Sequence, residues 1–166
     1  MNPRDSALFA KFFEPMRVAM LTTRHADTGA FRSRPMVVCK LEPDGTFWFF
    51  TGAHAPAATD IRGDARVGLA FASGDTFLSV TGVADLVHDR GKFTELWSPS
   101  FATWFPAGFE DPELMLIRLR AEAADYWESP SGPAGRIAGF ARALGGGGRF
   151  RPTGERGHLD LGPPWH

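Results

Sequence analysis

Two arginines spaced two residues apart, Arg32 and Arg34, are the residues whose type and spacing best suit chemistry. They lie in Phe31-Arg32-Ser33-Arg34-Pro35-Met36-Val37-Val38-Cys39-Lys40, a run of strand character. Strand side chains alternate between faces, so both guanidiniums project to one side, about 7 Å apart. Such a pair suits a phosphate or another dianion, because its donors match the anion's oxygens. A second run, Thr46-Phe47-Trp48-Phe49-Phe50-Thr51, leads directly into Gly52-Ala53-His54-Ala55-Pro56. Thr51 ends that strand where a Pro-marked helix begins, adding a hydroxyl and a helix N-terminus, both anion-binding elements. The combination points to a phosphate-bearing ligand held between neighbouring strands. The competing reading makes Arg32 and Arg34 exposed strand arginines paired with surface carboxylates, and Thr51 a turn cap.

Other positions carry the same kind of choice. Phe49 and Phe50 alternate faces, so one belongs to the core and the other is free to touch a ligand or a second subunit. Ser79 and Thr81 share one face of a long strand, where solvent is the ordinary partner and a ligand edge the alternative. Trp97, Trp104 and Phe105 fall in an aromatic stretch that suits either an interface or a small satellite core. Cys39 stands mid-strand with no histidine or cationic cluster nearby, which fits an inert thiol. His25, His54, His88, His158 and His166 show no metal-ligand spacing, so no metal site is expected. Neither a Gly-x-Ser-x-Gly elbow, a phosphate-binding Walker element nor a Gly-x-Gly-x-x-Gly fingerprint occurs, and no general acid or base pair stands out.

The elements that must position these residues are short. Ser6 to Phe13 has the pattern of a helix with Ser6 as N-cap. Strands are expected at 18–23, 31–40, 46–51, 67–71, 77–87 and 114–120, with turns at His25–Gly29 and Glu42–Gly45. Short helices are expected from Pro56 to Arg62 and, capped by Asp89, on to Trp97. Residues 132–144 read as a further helix, Gly145 to Gly148 as a break, and the rest as a Gly/Pro-rich tail. Six strands linked by hairpins argue for a mainly β fold with peripheral helices, an antiparallel barrel or near-barrel.

The bulk numbers agree. The chain has 166 residues, 43% hydrophobic, with 15 Phe and 5 Trp, enough for one core. A net charge of −1 with 22% charged residues excludes a basic nucleic-acid binder or a polybasic membrane anchor. One cysteine permits no intrachain disulfide. No signal-peptide pattern and no apolar run of about 20 residues is found, so a soluble, cytoplasmic protein is expected.

At this point the order of motifs resembles the FMN-binding split-barrel family of pyridoxamine 5'-phosphate oxidase-like proteins, in particular its general stress protein branch. The segments that carry the resemblance are Met20-Leu21-Thr22-Thr23, Ser33-Arg34-Pro35-Met36, Trp48-Phe49-Phe50-Thr51, Val67-Gly68-Leu69-Ala70-Phe71 and Ser79-Val80-Thr81-Gly82. Leu96-Trp97-Ser98-Pro99, Trp104-Phe105-Pro106-Ala107-Gly108, Asp111-Pro112 and Tyr126-Trp127 continue it. The resemblance implies a six-stranded antiparallel split β-barrel over residues 1–130, with 131–166 attached as helix and tail. It implies a homodimer with FMN at the interface, its phosphate near the Arg-bearing strand and the Thr51 turn. The cofactor-binding set it suggests is Arg32, Ser33, Arg34, Pro35, Met36, Phe49, Phe50, Thr51, His54, Ser79, Thr81 and Trp104. FAD or another flavin is the alternative ligand.

One departure stands out. Ala55-Pro56-Ala57 replaces a Ser-Pro-Lys type segment of the family, so a hydroxyl and an ammonium are missing. A charge-assisted hydrogen bond contributes about 1.5–3 kcal/mol, so binding weakens about 10- to 100-fold unless His54 or Arg62 compensates. The expectation is therefore a flavin-dependent oxidoreductase of the stress type, not a true pyridoxamine-phosphate oxidase. The alternative is a non-catalytic module that stores or senses flavin, or a scaffold that has lost it.

Overall fold

The computed structural model describes residues 16–74, 76–128 and 155–161. The strands are β1 (Val18–Arg24), β2 (Phe31–Val37), β3 (Lys40–Leu41), β4 (Thr46–Gly52), β5 (Arg66–Ser73), β6 (Thr76–Val87), β7 (Leu114–Glu128) and β8 (Glu155–Asp160). Among the described residues there are also two α-helices, α1 (Pro56–Gly63) and α2 (Arg90–Leu96), and two short 3₁₀ turns. The sheet is ordered β2-β1-β5-β6-β7-β4-β3, with β8 added beside β7, and every pairing is antiparallel. Six long strands curl into the expected split barrel. The expected helices at 6–13 and 132–144 lie outside the described residues.

The split has a local cause. The expected strand 31–40 breaks at Val38-Cys39. The Val38 N–H still bonds back toward β1, to the Arg17 carbonyl, whereas the Cys39 N–H donates to Trp48 on β4. The chain thus leaves one sheet edge and joins the other within two residues. Among the described residues β2 is left as a free edge, with its outer face exposed.

β7 is longer than the expected 114–120 because both of its edges are used. One edge pairs with β6 from Leu116 to Glu128; the other pairs with β4 over its first half and with β8 over its second. Whether the tail returns to the barrel was not legible in its Gly/Pro-rich composition; Glu155–Asp160 does return. At Gly82 the β6–β7 register shifts by a bulge, and a Cβ there would collide with the Arg120 carbonyl, so the close approach requires glycine.

Alternation sorts the apolar residues into two cores. Inward residues of the barrel, among them Leu21, Phe47, Phe49, Leu69, Val80 and Leu119, bury one cluster, and Ala57 and Ile61 of α1 plug its end. The other face of β4 turns Trp48 and Phe50 outward onto α2 and the 98–105 segment, where Phe93, Leu96 and Phe101 bury the second cluster. No described helix is long and apolar enough to cross a membrane.

Candidate functional site

The residues singled out in the sequence divide between the two faces of the sheet. Arg34 faces inward. It lies opposite Leu21 of β1, and its Nη2 donates to Asp60 Oδ2 on α1 at 3.1 Å. Thr23 Oγ1 donates to the same oxygen at 2.6 Å. Asp60 is 1% exposed, so this carboxylate is held inside the protein by a hydroxyl and a guanidinium. Burial pushes the Asp60 carboxyl up. The hydrogen bonds from Thr23 and Arg34, with the charges of Arg34 and Arg32, outweigh it and hold the group below the usual carboxylate range. Arg32 shares the inward side of β2 but is exposed, with no ion pair among the described residues. The partner of Arg34 is therefore a buried carboxylate that neither sequence reading anticipated. Asp60 was missed because a single Asp in a short helix carries no spacing signal.

The rest of the expected phosphate segment is less polar. Ala55 caps α1 with no side-chain bond, and Ala57 packs into the barrel core. Arg62 Nη1 donates to the Ala53 carbonyl at 2.8 Å, which fixes the β4–α1 turn. His54 sits exposed on that turn, its Nε2 3.0 Å from Glu113 Oε2. Thr51 is buried on the same side of β4 as Phe49.

Phe49 and Phe50 are both covered by protein: Phe49 in the barrel, Phe50 among Phe93, Trp97, Phe101 and Phe105 at centroid distances of 5.1–6.2 Å. Met36 packs on the barrel core. Trp104, in contrast, is 62% exposed on the segment after α2. Cys39 is half-buried, and burial, only partly opposed by the Phe50 backbone, pushes its thiol up to about 11, which makes it a poor nucleophile.

Ser33, Pro35, Ser79 and Thr81 belong to the outer face. Ser33 shares a 2.7 Å hydroxyl contact with Thr22. Ser79 lines a groove of about 420 Å³ together with Val18, Met20, Ala70, Phe77 and Trp127. The groove is apolar and open: Val18 is 53% exposed, Met20 41%, Phe77 46% and Trp127 39%. Cross-strand neighbours Val18–Val37, Met20–Ala70 and Phe77–Trp127 make it one band across five strands. Among the described residues, no group of three His, Cys, Asp or Glu side chains gathers to hold a metal ion.

The inward corner is the part that fits a phosphate. Among the described residues, Arg34 Nη1 is buried without a hydrogen-bond partner, and two guanidiniums face one carboxylate. A donor left unmet inside a protein costs about 1–3 kcal/mol, which an added acceptor would recover.

Comparison with known proteins places these features in context. Residues 5–149 match the family described as pyridoxamine 5'-phosphate oxidase like. The general stress FMN/FAD binding protein of Xanthomonas citri is 31% identical, with a TM-score of 0.66 over 79% of this chain and 93% of that one. A protein related to general stress protein 26 from Clostridium acetobutylicum shares the fold at 19% identity, with a TM-score of 0.65 over 77% and 91% of the two chains. Protein bli-3 of Neurospora crassa is 27% identical over 146 residues, 81% of this chain and 70% of its own length.

Proposed function

Because the chain belongs to the pyridoxamine 5'-phosphate oxidase-like family, we propose that it binds a flavin nucleotide and serves as a flavin-dependent redox protein that works as a homodimer. The observation that carries this reading is the unmet Arg34 Nη1 beside exposed Arg32. In this reading the two arginines anchor the flavin's phosphate, and Asp60 with Thr23 holds Arg34 in place. Among the described residues β2 is the sheet's edge, with Arg32 and Arg34 on its inward face and Ser33 and Pro35 on its outward one. The bound flavin would supply electron transfer. The protein's part is to position it, to exclude water and to offer hydroxyls such as those of Ser79 and Thr81.

The second copy is assigned to the outer apolar band. Four large side chains between 39% and 53% exposed along one groove make a surface that self-association would bury. Absorbance and fluorescence titration of the apo-protein with FMN, FAD and riboflavin tests the reading. Saturable binding of a nucleotide form, weakened in Arg34→Gln, is the expected result. No saturable binding of any of the three overturns it.

A further inference from the structure

We propose that pH controls self-association through the outer apolar band, with His158 as the group that takes up the proton and Asp125 as its partner. This rests on the homodimer reading above and adds what regulates that contact.

Strand register places the pair. Ser79, which lines the groove, stands opposite Asp125 on β7, and Asp125 stands opposite His158 on β8. Cross-strand partners share a face of the sheet, so the groove runs on into this pair. His158 Nδ1 and Asp125 Oδ1 lie 2.8 Å apart, and both side chains are at least half-exposed. One row along, Phe77 stands opposite Trp127, and Trp127 opposite Arg156. The apolar band therefore ends, on its β8 side, in a charged rim. On β7, the outward positions opposite and beside His158 are Asp125, Ala123 and Trp127. On β8, the neighbouring outward positions are Arg156 and Asp160, the latter opposite Ala123. At the β2 end the band closes on Pro35 and Val37, which carry no charge.

Symmetry turns this rim into a switch. A two-fold contact uses the same patch on both copies, so each copy brings the same net charge to it. Among the described residues, a neutral His158 leaves Arg156 against Asp125 and Asp160, and the rim is negative on both copies. Protonated His158 sets two cations against two carboxylates, a balanced surface that can lie against its own copy. Histidine is the side chain whose charge ordinarily changes between pH 5 and 8. The contact thus favours the protonated form, takes up protons as it forms, and tightens as pH falls.

The test is sedimentation velocity of the full chain across about pH 5.5 to 8, the histidine range. The dissociation constant of the dimer is expected to fall about tenfold toward the acid end, the scale of one unit charge at a half-buried contact. The chain's pI of about 6.5 lies in this range, so two variants carry the decision. His158→Gln should flatten the profile. Asp125→Asn leaves the rim balanced when His158 is neutral and positive when it is protonated, so its dimer should loosen in acid. Both positions are at the surface, and circular dichroism checks that the barrel is intact. A constant that does not move with pH in the unaltered chain, a dependence that survives His158→Gln, or an Asp125→Asn dimer that still tightens in acid overturns the switch and leaves the homodimer reading standing. A monomer at every pH overturns both.

Discussion

Thr23 Oγ1 and Asp60 Oδ2 meet at 2.6 Å across 37 residues of sequence, so a buried hydrogen bond ties the end of β1 to α1. A hydrogen bond to an ionised acceptor contributes about 1.5–3 kcal/mol. Thr23→Val should lower unfolding stability by that amount in urea titration, and Thr23→Ser should recover most of it. An unchanged midpoint in Thr23→Val would show that the carboxylate is stabilised without the hydroxyl.

Acid stability should follow two aspartates. Side-chain and backbone hydrogen bonds from Arg66, with help from Arg24, pull the Asp64 carboxyl down to about 2, and Asp60 is also held below its ordinary value. A carboxyl depressed in the folded state contributes stability that is present above its unfolded pKa of about 3.9 and is lost as pH falls through the folded value. Stability should therefore decline from about pH 4 downward. Carboxyl NMR should show Asp64 still ionised at pH values where free aspartate is protonated. Arg66→Ala should bring Asp64 back toward the ordinary range; a titration curve that stays put would identify another cause.

Phe50 is the hub of the second core, touching four aromatic rings from α2 and the segment beyond it. Phe50→Ala should cost about 3–5 kcal/mol. Hydrogen exchange should rise first over residues 93–105, while the β1–β5 ladder stays protected. Uniform loss of protection across both cores would show that they unfold as one unit.

The apolar outer band makes a prediction about assembly. Met20→Glu places a charge in the groove floor beside Ala70 while leaving the barrel core untouched. Light scattering should show a dimer for the unaltered chain and a monomer with unchanged circular dichroism for the variant. A variant that remains dimeric would move the interface elsewhere.

Much of the architecture was legible because it rests on local patterns. Strand alternation put Arg32 and Arg34 on one side, and Asp44-Gly45 turns the chain with Gly45 at φ 88°. Pro56 opens α1 and Asp89 caps α2 through the Lys92 N–H. What remained hidden depends on long-range partners. The break at Val38-Cys39 exists because two sheet edges compete for one segment. The return of β8 reflects a vacant edge of β7, which no tail composition discloses. The site was half visible for the same reason. Its cations stand in a row on one strand, whereas their counter-charge arrives from a helix 26 residues later. That Ser79 and Arg34 occupy opposite faces follows only from how the barrel closes.

The buried Asp60 also bears on how β2 finds its alignment. Side-chain direction along a strand reverses with every residue, so a slip of one position between β1 and β2 would turn Arg34 to the outside. It would also bring Ser33 or Pro35 inward and leave an ionised carboxylate in the barrel without its cation. Breaking a buried pair in this way costs about 3–5 kcal/mol. An edge strand whose outer face is open and weakly patterned is thereby locked in register by a single charge on a helix that closes over it later in the chain.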